Sequence, residues 1–155
     1  MIMKEKYSIQ NILLADDDLD HVQLFRRILL KEYPEIKIDV VNDGEAVLHY
    51  LHLHPVDLLF LDLQMPMRNG YECLQEIRKD RSLRNLPVIV YSSSAHLSDI
   101  EKSFINQADF YLVKPFLTEH LKKALEMILS IDWKADNELK GHYYINNRCV
   151  PYTAI

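Results

Sequence analysis

Thiols are scarce: Cys73 and Cys149 are the two cysteines of the chain, far apart and without a second Cys or a His at metal-ligand spacing. A disulfide framework and a structural zinc site are therefore excluded. Long apolar runs are missing too, since none reaches the roughly 20 residues that a membrane helix needs. Met1 to Gln10 carries Lys4, Glu5 and Lys6 where a leader peptide would have an apolar core. The expectation is a cytoplasmic protein with no membrane partner. Nor is there an excess of basic charge, because 18 basic side chains stand against 23 acidic ones and give a net charge of −5. No nucleic-acid partner is expected from that balance. At 155 residues there is little room for a second module beside one well-cored domain. No repeat or low-complexity tract interrupts the first 130 or so positions.

What is present is an alternation. Short apolar runs, NILLA at 11 to 15, IKIDVV at 36 to 41, DLLFL at 57 to 61, VIVYS at 88 to 92 and FYLV at 110 to 113, are separated by stretches of helical periodicity. This is the pattern of βαβ units around a parallel sheet. Four runs read as strands buried on both faces. The second alternates Ile36, Ile38 and Val40 with Lys37 and Asp39, so it should lie at a sheet edge, which suits a 2-1-3-4-5 strand order. Val22, Phe25, Ile28 and Leu29 stripe one helix; Leu121, Ala124, Leu125, Ile128 and Leu129 stripe another. Ser98 with Glu101 predicts a capping box that opens the fourth helix. Cys73 reads as a packed helical residue, and His49, His52 and His54 as surface histidines.

In an open parallel sheet, ligands sit beyond the carboxyl ends of the strands. Run 1 delivers Asp16, Asp17 and Asp18 there, run 3 Asp62, run 4 Ser92, Ser93 and Ser94, and run 5 Lys114 before Pro115. Each has an ordinary use alone: Asp18 and Ser94 as helix caps, Asp62 as the start of a turn, Lys114 as a solvated cation. Together they assemble carboxylates, hydroxyls and one ammonium at one edge.

The segments LLADDD, LLFLDLQMP followed by NG, LPVIVYSSS and YLVKPF together resemble the receiver domain of two-component response regulators, over about residues 8 to 130. The resemblance implies an α/β fold: a flavodoxin-like, doubly wound five-stranded parallel sheet in the order 2-1-3-4-5 with five helices. It implies that Asp62 is the phosphoacceptor and that Ser92 and Lys114 bind the phosphoryl group. Asp16, Asp17, Asp62 and the backbone carbonyl of Gln64 would hold Mg²⁺, for which Mn²⁺ can substitute. Ser92 and Tyr111 would form the switch. The implied partners are a histidine kinase or phosphotransfer protein and a downstream target protein, with a homodimer also allowed. The chain would assist its own phosphorylation and dephosphorylation rather than act as an enzyme on other substrates. Two other readings stay open: a receiver-like binding module not regulated by phosphorylation, and a haloacid-dehalogenase-type phosphatase with Asp16 as nucleophile. A flavodoxin-like nucleotide site fits poorly, since three aspartates would repel the phosphate. Residues 131 to 155 form an extension of unread role, yet Ile131, Trp133, Tyr143, Tyr144 and Tyr152 carry more apolar surface than a free end usually does, so docking on the domain or on a second chain is expected.

Overall fold

The computed structural model describes residues 9–153. The stretch 1–8 read for a leader, which includes the first residue of the expected domain, and Ala154 and Ile155 of the tail lie outside the described residues. The elements run β1 (Asn11–Ala15), α1 (Leu19–Glu32), β2 (Lys37–Val41), α2 (Gly44–Leu53), β3 (Leu58–Leu61), α3 (Gly70–Lys79), β4 (Val88–Ser92), α4 (Leu97–Ile105), β5 (Phe110–Val113), α5 (Thr118–Leu129), β6 (His142–Ile145) and β7 (Arg148–Pro151). The first five strands pair in parallel in the order β2-β1-β3-β4-β5. Strand β2 takes the edge, with Lys37 exposed and Ile38 buried.

The central strands are apolar throughout because both of their faces are covered. On one face Ile12, Leu14, Phe60, Ile89, Tyr91, Phe110 and Leu112 meet α1 and α5, with Phe25 set edge-on to Phe60 and Tyr91 at ring separations of 4.9 and 5.6 Å. On the other, Leu13, Ala15, Leu59, Leu61 and Val88 meet Val47 and Leu51 of α2 and Cys73, Leu74 and Ile77 of α3. Burial pushes the Cys73 thiol up to about 11, so it is a packing group. His49, His52 and His54 are exposed.

Two expectations are corrected. The sheet has seven strands rather than five, because the tail pairs β6 in parallel on β5 and turns back as antiparallel β7. The turn is Asn146–Asn147, both at positive φ (50° and 62°), the pair of left-handed residues that a two-residue hairpin turn of matching twist requires. The second correction is at α4, where Ser98 lies inside the helix and makes no cap. His96 occupies the N-cap without a side-chain bond, and Ser94 Oγ takes the His96 N–H instead. The tail is anchored by Trp133, 3% exposed, which donates its indole N–H to Ile128 O at 2.8 Å and tilts against Phe110 at 5.5 Å. Tyr152 stacks on Phe104 of α4 at 5.5 Å.

Replacing a buried, bonded indole by a methyl group leaves a cavity and strands the Ile128 carbonyl. Trp133→Ala is expected to lower unfolding free energy by about 3 to 5 kcal/mol, measured by urea denaturation. A loss under about 1 kcal/mol would show that the tail is not part of the folded core.

Candidate functional site

Two backbone bonds carry the sheet ladder one residue beyond the strands. Asp16 N donates to Val41 O at 3.0 Å and Asp62 N to Ala15 O at 2.9 Å, which sets the two aspartates side by side just past β1 and β3. Lys114 N donates to Ser92 O at 2.7 Å, fixing the lysine and the serine in the same way past β5 and β4. Helix α3 closes tightly over the end of β3: a Cβ on Gly70 would fall 2.4 Å from Asp62 O, so only glycine permits this approach.

Asp16, Asp62, Ser92 and Lys114 are the buried polar residues here, at 1, 6, 3 and 8% exposure. The Lys114 ammonium lies 2.6 Å from Asp16 Oδ2 and donates to Asp62 Oδ2 at 3.0 Å. It also sits 5.1 Å above the Tyr91 ring. Asp62 Oδ1 accepts the Gln64 N–H at 3.2 Å. Asp16, Asp17 and Asp62 each offer a carboxylate oxygen, all within 4.8 Å of one another. Asp16 Oδ2 is buried and receives no directed hydrogen bond, its contact with Lys114 being one of charge alone. Three carboxylates against one ammonium leave unbalanced negative charge, and an all-oxygen donor set suits a hard divalent cation. The chain's residues therefore fit a Mg²⁺- or Mn²⁺-class ion.

Asp17, Asp62, Gln64, Ser92, Ser93, Ser94 and Lys114 line one open cleft of about 920 Å³. The expected residues are thus brought together. Asp18, by contrast, caps α1, accepting the N–H groups of Asp20 and His21 at 3.0 and 3.2 Å. Tyr111 has no exposed surface, and its hydroxyl donates to Ser94 O at 2.8 Å. The ring thus occupies the inward position. Ser92 Oγ accepts the Ser94 N–H at 3.1 Å, so the β4–α4 loop is tied to both residues.

Sequence reasoning missed three participants. Arg78 at the end of α3 binds Gln107 O, Arg84 O, Leu86 O and the Asp109 carboxylate, which ties together the loops at the opposite edge of the sheet. Asp99 takes hydrogen bonds from Ser94 Oγ and Tyr71 at 2.5 and 3.0 Å, fixing the start of α4. His21 reaches Lys114. Their farthest partners lie 31, 28 and 93 positions away, beyond any local spacing.

Burial pushes the Asp62 carboxyl up to about 6, outweighing the pull of Lys114 and the Gln64 N–H, while Asp16 pushes in the same direction as burial. Its folded value lies above the ordinary 3.8, so the native chain holds this proton more tightly than the unfolded one. Stability must then fall as pH rises across that window. Asp62→Asn removes the ionisation. In EDTA its melting temperature should gain on wild type between about pH 4 and about pH 6. A constant difference across that range would contradict the desolvated carboxylate.

Comparison with known proteins gives the same answer as the geometry. The family model described as response regulator receiver domain matches residues 12–126. The probable methanogenesis regulatory protein FilR2 of Methanothrix harundinacea (strain 6Ac) is 33% identical over 123 residues, 76% of this chain and 79% of that protein. Heme response regulator HssR of Staphylococcus epidermidis is 31% identical over 145 residues, 92% of this chain, and the chain spans only 62% of that relative's length. Among solved structures, the phosphorylated cyanobacterial phytochrome response regulator RcpA aligns at a TM-score of 0.72 with 27% identity, over 78% of this chain and 91% of that one. The Mn(2+)-bound response regulator Rcp1 aligns at 0.71 with 25% identity, over 83% and 97%. The dehalogenase-type reading, with Asp16 as nucleophile, receives no support from these matches. Among the described residues no helix is long and apolar enough to cross a membrane. By its family match and its fold, this chain belongs to the response regulator receiver domains.

Proposed function

We propose that Asp62 is the phosphoacceptor of this receiver, taking a phosphoryl group from a histidine kinase or phosphotransfer protein. The observation that carries the reading is the Asp62 carboxylate itself, held by Lys114 beside Asp16 and Asp17 at the mouth of an open cleft. Burial makes it more basic, and so a better nucleophile, than an ordinary carboxylate. An Asp62 oxygen forms the new bond to phosphorus as the bond from phosphorus to the donor's imidazole nitrogen breaks, and the donor histidine leaves. The Lys114 ammonium and the Ser92 hydroxyl stabilise the charge on the equatorial oxygens. Asp16, Asp17, Asp62 and the Gln64 carbonyl would hold Mg²⁺, which when bound offsets the negative charge shared by nucleophile and incoming group. Water admitted past Gln64 and Ser94 returns the acyl phosphate to carboxylate, so the chain assists both directions of its own modification without acting on another substrate.

The output is a protein-binding surface on the α4 side, coupled to the site through Ser92 and Tyr111. Tyr111 packs with Val90 and Ile100 of α4 and bonds the Ser94 carbonyl, so a pull on the β4–α4 loop bears on the helix. Such coupling is worth roughly 1 to 3 kcal/mol in comparable switches. Residues 8 to 130 form the receiver in this reading, with 131 to 155 as an extension of it.

With acetyl phosphate and Mg²⁺ the wild type is expected to gain the mass of one phosphoryl group and Asp62→Asn none, read by intact-mass spectrometry. Labelling retained in Asp62→Asn but lost in Asp16→Asn would overturn the assignment. Asp17→Ala should weaken Mg²⁺ binding by at least about tenfold in a metal titration, since it removes one of few carboxylate ligands. Unchanged affinity would remove Asp17 from the metal set.

A further inference from the structure

Lys114 has a third neighbour that the receiver reading does not use. His21 lies in the first turn of α1, and its Nδ1 is 3.1 Å from Lys114 Nζ although the two residues are 93 positions apart. An ammonium group carries donors only, so the ring nitrogen must be the acceptor and the proton of the neutral ring must sit on Nε2. The start of the helix fixes the residue's backbone: the His21 main-chain N–H is bound by Asp18 Oδ1 at 3.2 Å. The His21 side chain is 37% exposed and lines the same cleft as Asp62 and Ser92.

We infer that His21 is a positioning residue of the phosphoryl site, holding the Lys114 ammonium on the line between Asp62 and the incoming group; this rests on Asp62 being the phosphoacceptor. A lysine head on a four-carbon stem has no preferred direction of its own, so its aim is set by the acceptors around it. There are two here, Asp62 at 3.0 Å and His21 at 3.1 Å, while Asp16 draws the head by charge at 2.6 Å. As phosphoryl transfer proceeds, Lys114 must exchange its bond to Asp62 for one to a phosphoryl oxygen. Asp16 and His21 are then the two groups left to fix the ammonium, one beneath it and one from the α1 side. Without His21 the N–H it holds turns to water and the head is free to lean toward Asp16. His21 thus serves transfer through Lys114, with no bond to phosphorus of its own.

The test uses the full chain, Mg²⁺ and acetyl phosphate, a donor too small for partner docking to matter. His21→Leu is expected to slow labelling about five- to tenfold, the scale of losing one hydrogen bond at a partly exposed position. His21→Gln, which keeps an acceptor, is expected to restore most of the rate. In a Lys114→Ala background His21→Leu should cost nothing further, because its effect runs through the lysine. Equal labelling of wild type and His21→Leu would overturn the inference, as would an undiminished His21→Leu penalty without Lys114. NMR of the ring nitrogens gives a readout independent of phosphorylation: the Nε2–H tautomer is expected in wild type, and an Nδ1–H tautomer would overturn the inference. Absence of labelling in wild type alongside the Nε2–H tautomer would instead sink the phosphoacceptor reading and the role built on it, while leaving the His21–Lys114 bond standing.

Discussion

Three carboxylates within 4.8 Å of one another would repel strongly if nothing stood between them, and the Lys114 ammonium between Asp16 and Asp62 is the group that makes the arrangement foldable. Like charges at such range cost several kcal/mol at the effective dielectric of a partly buried site. One cation cannot balance three anions, so the site is left under electrostatic tension. That tension makes it receptive to a divalent ion, while burial, with a smaller push from Asp16, keeps the Asp62 carboxyl more basic than usual. The parallel ladder exists, in functional terms, to hold these groups in register: the bonds Asp62 N to Ala15 O and Lys114 N to Ser92 O place side chains from four strands on one edge.

The same edge connects to the rest of the molecule by short bonds. Lys114 sits over Tyr91, whose ring packs on Phe25 of α1 and so reaches the core. Ser92 and Ser94 join the cleft to Tyr111, Asp99 and thereby α4. The tail belongs to this network as well. Tyr143 and Tyr152 pack in the cluster that holds Tyr111 and Ile100, so the added strands lie against the elements that a phosphoryl signal would move.

What could be read from the sequence follows from where information is local. Strands β1, β3, β4 and β5 were legible because burial on both faces writes itself as an unbroken apolar run, and the candidate site because each run ends directly in one of its residues. Strands β6 and β7 were not. Tyr144 is the one fully buried residue of the hairpin, which is held by pairing to β5 and by two asparagines at positive φ rather than by an apolar pattern. The start of α4 was misplaced because Ser98 and Glu101 satisfy the local cap rule while Ser94, bonded to Asp99 and His96, fixes the real boundary. His21 and Arg78 were missed because their partners lie 93 and 31 positions away, beyond any periodicity.

The central claim is chemical: the phosphoryl group resides on the Asp62 carboxylate as an acyl phosphate. Borohydride reduces an acyl phosphate to the alcohol, so an aspartyl phosphate becomes homoserine. After phosphorylation, reduction and proteolysis, peptide sequencing by mass spectrometry should find homoserine at position 62 and intact aspartate at Asp16 and Asp17. Homoserine at either of those two positions, or a phosphate that survives reduction on a serine or histidine, would contradict the account.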